Sequence, residues 1–477
     1  MHLFENLILR LPTKISGPLG PVGEKLDLAF FGQGPRSRAA RAALLTFAIR
    51  VFAAVLAYAA QVVLARMMGA HDYGIYAIVW VWVLVISAFA SLGYSTGLLR
   101  FIPELYKAER FGELRTVILR GPLVNIGLST LAVTVGIAVL IAFPNLFSNE
   151  FLLPMILAAF CIPMIVVGDN QDGVAQAFDW TTLRLVPSFI VRPLLILAIF
   201  IGMAWAGVEA SASTAMIAAL SAVWIVTLGQ LLILAPRVRE KIGRGPREGQ
   251  ARPWVKAALP MLVVEGFFFL IINTDVMVAG LFVPPEQVAV YYAAAKTLAL
   301  VHFVAFAIRV ATSHKIAEYH ATNDRAALER TLSDTLHWTF WPSLAIAAFL
   351  MLEGQFILSL FGDGFEDGMA FLTILLVGVV IRASVGPAEA MLTMANRQTT
   401  SAWVYGVVFA VNLSLNLILI PTIGLLGAAI ATAISMVVEA VLLLIMVRRH
   451  LGVISFIGVT GRLNRSPKAQ GLPEPAE

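Results

Sequence analysis

The chain has one cysteine among 477 residues, Cys161, set in an apolar run beside Pro163. No intrachain disulfide and no cysteine-built metal site can come from it, and it reads as a buried, inert thiol. Charge is also scarce. Asp, Glu, Lys and Arg make up 13% of the residues, where a soluble domain has about 25%. The N-terminus lacks an apolar stretch followed by a small-residue cleavage site, so no secretory signal peptide is expected there. The net charge of +5 does not point to nucleic acid, because the basic residues flank long apolar runs.

Those runs dominate what is present. Hydrophobic residues are 59% of the chain and the mean hydropathy is +0.85. Each run is about 20 residues, enough to cross a hydrocarbon core of about 30 Å. Barrel strands would instead read as alternating segments of about ten residues. The expected fold is therefore an all-α polytopic membrane protein of about twelve spans. The first six fall at 42–65, 75–99, 119–143, 151–177, 183–206 and 212–235. The second six fall at 257–282, 287–312, 336–361, 368–394, 403–423 and 425–447. With both termini cytoplasmic, 28 lysines and arginines lie on the cytoplasmic side and one, Arg66, on the other. That asymmetry is a strong positive-inside signal.

The two halves resemble each other. Tyr76 and Tyr291 are 215 apart, and Asp72 with Glu286, Glu104 with Glu318 and Leu114 with Leu328 are 214 apart. Six spans per half give both halves one orientation, so two six-helix lobes related by a pseudo-twofold along the membrane normal are expected. The boundaries are an N-terminal extension (1–41), an N-lobe (42–235), a basic linker (236–256), a C-lobe (257–447) and a polar tail (448–477) expected to be disordered. "LFENLILRL" near the start suits an interfacial helix. Residues 100–118 and 313–335 are amphipathic and suit helices at the membrane surface, with Phe101, Leu105, Phe111 and Leu114 among charges in the first.

Five cations remain inside the spans: Arg50, Arg192, Lys296, Arg309 and Arg382. Each costs roughly 2.5–3.5 kcal/mol near the bilayer centre unless it meets protein, water or an anionic ligand. Together they imply a polar, cation-lined interior and an anionic substrate. Arg192 stands between Pro187 and Pro193, where a kink is expected. Alternatives stay open for each. Arg50 could pair with Glu265, Arg382 with Glu389 seven residues on, and Lys296 with Asp275. Arg309 could snorkel. Asp275, Glu265, Glu389 and Glu439 are candidates for ion coupling or ion pairs, and Glu439 alone has no evident basic partner. His302 reads as a hydrogen-bonded packing histidine. Asp169 and Asp172 in "GDNQDG" read as the frayed end of the fourth span.

Several stretches resemble bacterial oligosaccharide flippases of the multidrug/oligosaccharidyl-lipid/polysaccharide exporter (MOP) superfamily. They are "VLARMMGAHDYGIY" (63–76), "SLGYSTGLLRFIPE" (91–104), "NTDVMVAGLFVPPEQVAVYYAAAK" (273–296), "LSLFGDGFEDGMAFLTILLVG" (358–378) and "NLSLNLILIPTIGLLGAAIATAIS" (412–435). Val290 departs from the glycine usual before the tyrosine of the eighth span. The resemblance covers about 40–450 and implies a non-enzymatic transporter without cofactor. It would carry an undecaprenyl-diphosphate-linked oligosaccharide across the bacterial inner membrane for polysaccharide synthesis, beside a polysaccharide polymerase and export machinery. A diphosphate suits arginine, which binds it through paired charge-assisted hydrogen bonds. Competing readings are a lipid-linked peptidoglycan precursor flippase and a multidrug exporter of the same superfamily. A membrane glycan polymerase or transferase is disfavoured by the short external loops.

Overall fold

The structure, a computed structural model, describes residues 35–143, 148–250, 252–321, 325–394, 398–451 and 454–457. The expected interfacial helix near the N-terminus and the tail beyond 457 lie outside them. Among the described residues there are helices and no strand, and the chain is an all-α polytopic membrane protein. In hydrocarbon every backbone N–H and C=O must be satisfied within the protein, and a helix does this locally. The helices are α1 (Pro35–Ala90), α2 (Tyr94–Lys107), α3 (Phe111–Ala142), α4 (Asn149–Ala159), α5 (Cys161–Ala177), α6 (Thr181–Val186), α7 (Arg192–Trp205) and α8 (Ala212–Ile242). They continue as α9 (Arg252–Ile271), α10 (Thr274–Phe282), α11 (Pro285–Ala321), α12 (Arg325–Ser359), α13 (Met369–Ala383), α14 (Ala388–Met394), α15 (Gln398–Ile423) and α16 (Leu425–Leu451). A π-helix, Pro187–Val191, joins α6 to α7, and a 3₁₀ turn, Phe365–Gly368, precedes α13.

The chain packs as two compact units, one ending at Val55 and the other beginning at Leu56. In the first, the described part is the opening stretch of α1. The account below concerns the second unless stated.

Every expected span falls on helix, and nine helical stretches among the described residues are long and apolar enough to cross a membrane. The first and second spans meet at Gly69, whose φ of 77° is open to glycine. Three expected spans are interrupted. The fourth is α4 followed by α5. The seventh breaks between α9 and α10, where Asn273 and Thr274 donate to the carbonyls of Phe269 and Leu270 at 2.8 and 2.7 Å. The tenth breaks between α13 and α14, where Gly386 takes φ 63°.

The helix starts repeat as the residue matches do. Phe111 and Arg325, which open α3 and α12, are 214 apart, and Ala212 and Leu425, which open α8 and α16, are 213 apart. Inside the first half, Ala215, Ala218, Ala219 and Ala222 of α8 are fully buried where α8 packs on α5 and α7. Small side chains allow this close approach in lipid, where there is no hydrophobic drive between helices.

The amphipathic stretch after the second span differs from expectation. Phe101, Leu105 and Leu114 are buried in a second core with Val174, Leu234 and Val238. Their apolar face is taken up by α5 and α8, and so is not left for a membrane surface. The side chains of 313–330 lie outside the described residues. The linker is held to the start of α3: the Arg115 guanidinium donates to the carbonyls of Ile242, Gly243 and Pro246 at 3.2, 3.3 and 3.0 Å.

At the opposite end of the bundle, residues of the two halves meet tightly. A Cβ on Gly74 would overlap the Pro285 carbonyl, so this position needs glycine for the approach itself. Tyr73 packs edge-on to Tyr292, ring centroids 6.0 Å apart. Arg66 donates to the carbonyls of Leu360 and Ser359 at 2.7 and 3.2 Å.

Candidate functional site

A cavity of about 400 Å³ opens between α2, α5, the π-helix with its flanks, and α9. It lies at the end of the bundle that carries the linker. Its charged lining is Asp169 and Asp172 from α5, Arg184 from α6, Arg192 from α7 and Glu265 from α9.

The proline pair builds one wall. Pro187 has no N–H, so the carbonyl four residues earlier, Leu183, loses its helical donor. The chain answers with a π turn in which the Arg192 N–H reaches back five residues to the Pro187 carbonyl. Gln230 of α8 supplies the missing donor: its Nε2 gives hydrogen bonds to Leu183 O at 3.0 Å and to Asp172 Oδ1 at 2.7 Å. The Ser188 hydroxyl donates to Asp172 Oδ2 at 2.8 Å and accepts from Arg192 Nη2 at 3.2 Å. Arg192, Ser188, Asp172 and Gln230 therefore form one chain of polar contacts across α7, α5 and α8. Where a kink was expected at Arg192, the helix takes a π turn over Pro187–Val191 and continues as α7. The expected frayed end at Asp169 and Asp172 is not: α5 is unbroken from Cys161 to Ala177. Their three-residue spacing instead sets both on one helix face, and that face lines the cavity.

The other expected residues are distributed more widely. Glu265 lies in the cavity and accepts a hydrogen bond from Thr96. Arg382 is not in this cavity. Its Nε donates to Glu439 Oε1 at 2.6 Å, with the two side chains 19% and 14% exposed, and its Nη1 donates to the Gly386 carbonyl at 3.2 Å. One expectation changes here: Glu439 on α16 has a basic partner after all, Arg382. Glu389, seven residues beyond Arg382, lies within its electrostatic reach as well.

Lys296 and Asp275 are not joined by an ion pair within 4 Å among the described residues. Lys296 Nζ sits 4.5 Å above the centroid of the Tyr292 ring, a cation–π contact. Asp275 is buried and accepts from Tyr291 Oη at 2.5 Å, from the Val276 N–H at 2.8 Å and from Thr432 Oγ1 at 3.5 Å. These donors satisfy the carboxylate without a lysine. His302 was expected to be packed, but it is exposed and within electrostatic reach of Arg382. Cys161 is buried, as expected. Arg50 stands on α1 in the first compact unit, and the Arg309 side chain lies outside the described residues.

Among solved structures the fold is similar to the lipid II flippase MurJ in an inward closed conformation, with TM-score 0.67, 14% identity and coverage of 85% of this chain and 87% of that one. It is equally similar to an inward-facing multidrug resistance MATE family transporter of the MOP superfamily, with TM-score 0.67, 15% identity and coverage of 83% and 94%. A probable low-salt glycan biosynthesis flippase of Haloferax volcanii is 28% identical over 185 residues, a stretch that covers 38% of each chain. The MatE family model matches 260–418. The model described as "Polysaccharide biosynthesis protein" matches 39–313, a stretch that takes in the cavity-lining helices and more than half of the chain. A membrane helix bundle with a charged cavity, matched over that length, belongs to the polysaccharide biosynthesis protein family.

Proposed function

We propose that this protein moves a lipid-linked oligosaccharide from one leaflet to the other by alternating access between two six-helix lobes, 42–235 and 257–447, joined by the linker 236–256. One observation carries the reading: a cavity lined by charged and hydroxyl side chains is walled by helices apolar enough to span a membrane. Polar groups there are costly and mark substrate pathways. The glycan flippase named among the relatives and the fold shared with MOP transporters support the same assignment. The cargo is an undecaprenyl-diphosphate-linked glycan. Arg50, Arg192, Arg382, Lys296 and Arg309 are proposed to act on its path, with Asp275, Glu265, Glu389 and Glu439 as ion-coupling or ion-pairing partners. The prenyl tail stays in lipid while the head crosses between the lobes. The protein acts as a transporter without catalysis, in the inner membrane with both termini cytoplasmic, and supplies a polysaccharide polymerase and export machinery. The fold likeness to a lipid II flippase keeps a peptidoglycan precursor as the second reading.

The test is a flipping assay in proteoliposomes, with a fluorescent undecaprenyl-diphosphate oligosaccharide and a membrane-impermeant quencher. Wild-type protein should expose the label in the outer leaflet to the quencher over time. The Arg50→Ala, Arg192→Ala, Arg382→Ala triple variant should insert normally and fail to do so. Wild-type rates from the triple variant would overturn the role of the cations. Transport of lipid II but not of the oligosaccharide lipid would favour the second reading.

A further inference from the structure

We infer that the cavity walled by α2, α5, α7 and α9 seats the sugar next to the diphosphate, and that it selects a neutral or amino sugar over a uronic acid. This rests on the lipid-linked glycan reading above and names what its cavity holds.

The charge balance points away from the diphosphate. Two cations, Arg184 and Arg192, face three carboxylates, Asp169, Asp172 and Glu265. Arg192 reaches Asp172 through Ser188, and Arg184 lies within the field of Asp172. The cationic charge is thus already answered inside the cavity, and a diphosphate would add repulsion in a poorly solvated space. Sugar hydroxyls, by contrast, are donors that carboxylates bind well. Both oxygens of Asp172 are occupied, by Gln230 and Ser188, whereas Glu265 holds Thr96 through Oε1 alone. Asp169 accepts no hydrogen bond from the described residues while lining the cavity. On the same wall, the Arg192 Nε is buried without an acceptor among the described residues. The lining therefore offers open acceptors, Asp169 and the second oxygen of Glu265, and one open donor. Ring hydroxyls fit the acceptors, and a ring, hydroxyl or acetamido oxygen fits the donor. Phe189, Phe268 and Phe269 give apolar surface for the C–H face of a pyranose. The volume of about 400 Å³ lies at the small end of ligand pockets, roughly 300–1,000 Å³, and suits a sugar unit better than a whole oligosaccharide. A uronic acid would set a fourth carboxylate among three. A neutral sugar adds no charge, and an amino sugar offsets one.

The experiment measures binding to the full-length protein in nanodiscs with three probes: undecaprenyl diphosphate, its N-acetylglucosamine conjugate and its glucuronic acid conjugate. Wild-type protein should bind the N-acetylglucosamine conjugate about tenfold more tightly than the glucuronic acid one. Asp169→Asn should weaken the N-acetylglucosamine conjugate about tenfold, the loss expected for one hydrogen bond to a charged group, and narrow the gap between the two sugars. It should leave undecaprenyl diphosphate unchanged. Glu265→Gln provides a second variant with the same expected direction. The proposal falls if the glucuronic acid conjugate binds as tightly as the other, or if both variants weaken the sugar-free diphosphate as much as the sugar-bearing lipid. Wild-type protein that binds all three equally overturns the sugar site alone. Wild-type protein that binds none overturns the lipid-linked glycan reading together with the site.

Discussion

Gln230 bonds two acceptors that the helix geometry would otherwise leave open: a carbonyl orphaned by Pro187 and one oxygen of Asp172. Leaving a buried group unsatisfied costs about 1–3 kcal/mol, more when it is charged. Gln230→Leu is therefore expected to destabilise the protein by at least about 2 kcal/mol on that scale, read as a lowered melting temperature in detergent. Gln230→Glu keeps the size but loses the donor and adds charge beside Asp172, so it should be worse than Leu. Arg382 and Glu439 allow a second residue-scale test. Removing one member of a nearly buried ion pair costs about 3–5 kcal/mol, whereas replacing both with apolar residues can be neutral. Arg382→Met with Glu439→Leu should thus melt above either single variant, and strictly additive losses would show that the pair is not coupled. At this scale the sequence revealed which residues matter better than it revealed their partners. Arg382 stood out because a cation inside an apolar run is costly wherever it points. Glu439 could not be matched to it, since the two are 57 residues apart and meet only after α13 breaks and α16 packs back. Asp169 and Asp172 were legible as a face through their three-residue spacing, but a nearby span end gave a simpler account of two acids in an apolar chain.

The elements were legible where backbone chemistry is strict. Two prolines six residues apart forecast a distortion at Arg192, and a π turn occupies Pro187–Val191. Proline identity alone does not tell a π turn from a bend, because that choice depends on whether a neighbour such as Gln230 can satisfy the freed carbonyl. A π turn carries one extra residue, and on an α-helix one residue is about 100° of rotation. Pro187→Ala restores the N–H and allows an α-helical register, in which Arg192, with Ser188 still four residues behind it on its own face, turns relative to Asp172 on α5. The expected result is a transport loss close to that of Arg192→Ala, with insertion and expression intact. Wild-type transport by Pro187→Ala would mean that the π turn does not position Arg192. The interruptions of the seventh and tenth spans were not legible. "INTD" and "SVGPAE" lie within otherwise long apolar stretches, and hydropathy averaged over a window conceals a break that glycine and side-chain hydrogen bonds can satisfy.

At the scale of the whole molecule, the offset of about 214 residues seen in single matches returns as an offset of helix starts, which supports a duplicated architecture. The charge asymmetry makes a topological prediction. In a Cys161→Ala background, a cysteine at Asp363 should react with an impermeant thiol reagent applied from outside, and one at Arg247 should not. The reverse pattern would invert the assigned orientation. The turns that meet around Gly74 and Pro285 carry their own titratable contact. His71 Nδ1 meets Glu286 Oε1 at 2.6 Å, and its Nε2 meets Glu150 Oε2 at 3.1 Å. Asp72 beside it is bound by the Ala212 N–H at 2.7 Å, and Arg66 is bound by carbonyls. The hydrogen bond to Glu286, with a smaller contribution from Glu150, raises the His71 pKa above its ordinary 6.5. Its own backbone N–H, followed by His71, lowers the Glu286 pKa below 4.5. A raised histidine stabilises the contact fully below pH 6.5 and loses that contribution as pH rises through the elevated value. A lowered carboxylate contributes above pH 4.5 and loses it as pH falls through the depressed value. The contact is strongest between these limits. All three side chains are about half exposed, so solvent and salt screen it. Spin labels at Ala70 and Pro284 should report a short distance near pH 5.5 and a growing long-distance population towards pH 9. His71→Gln should remove that dependence, and high salt should weaken it. A distance distribution unchanged across that range would show that the tight packing of Gly74 on Pro285, rather than charge, holds these turns together.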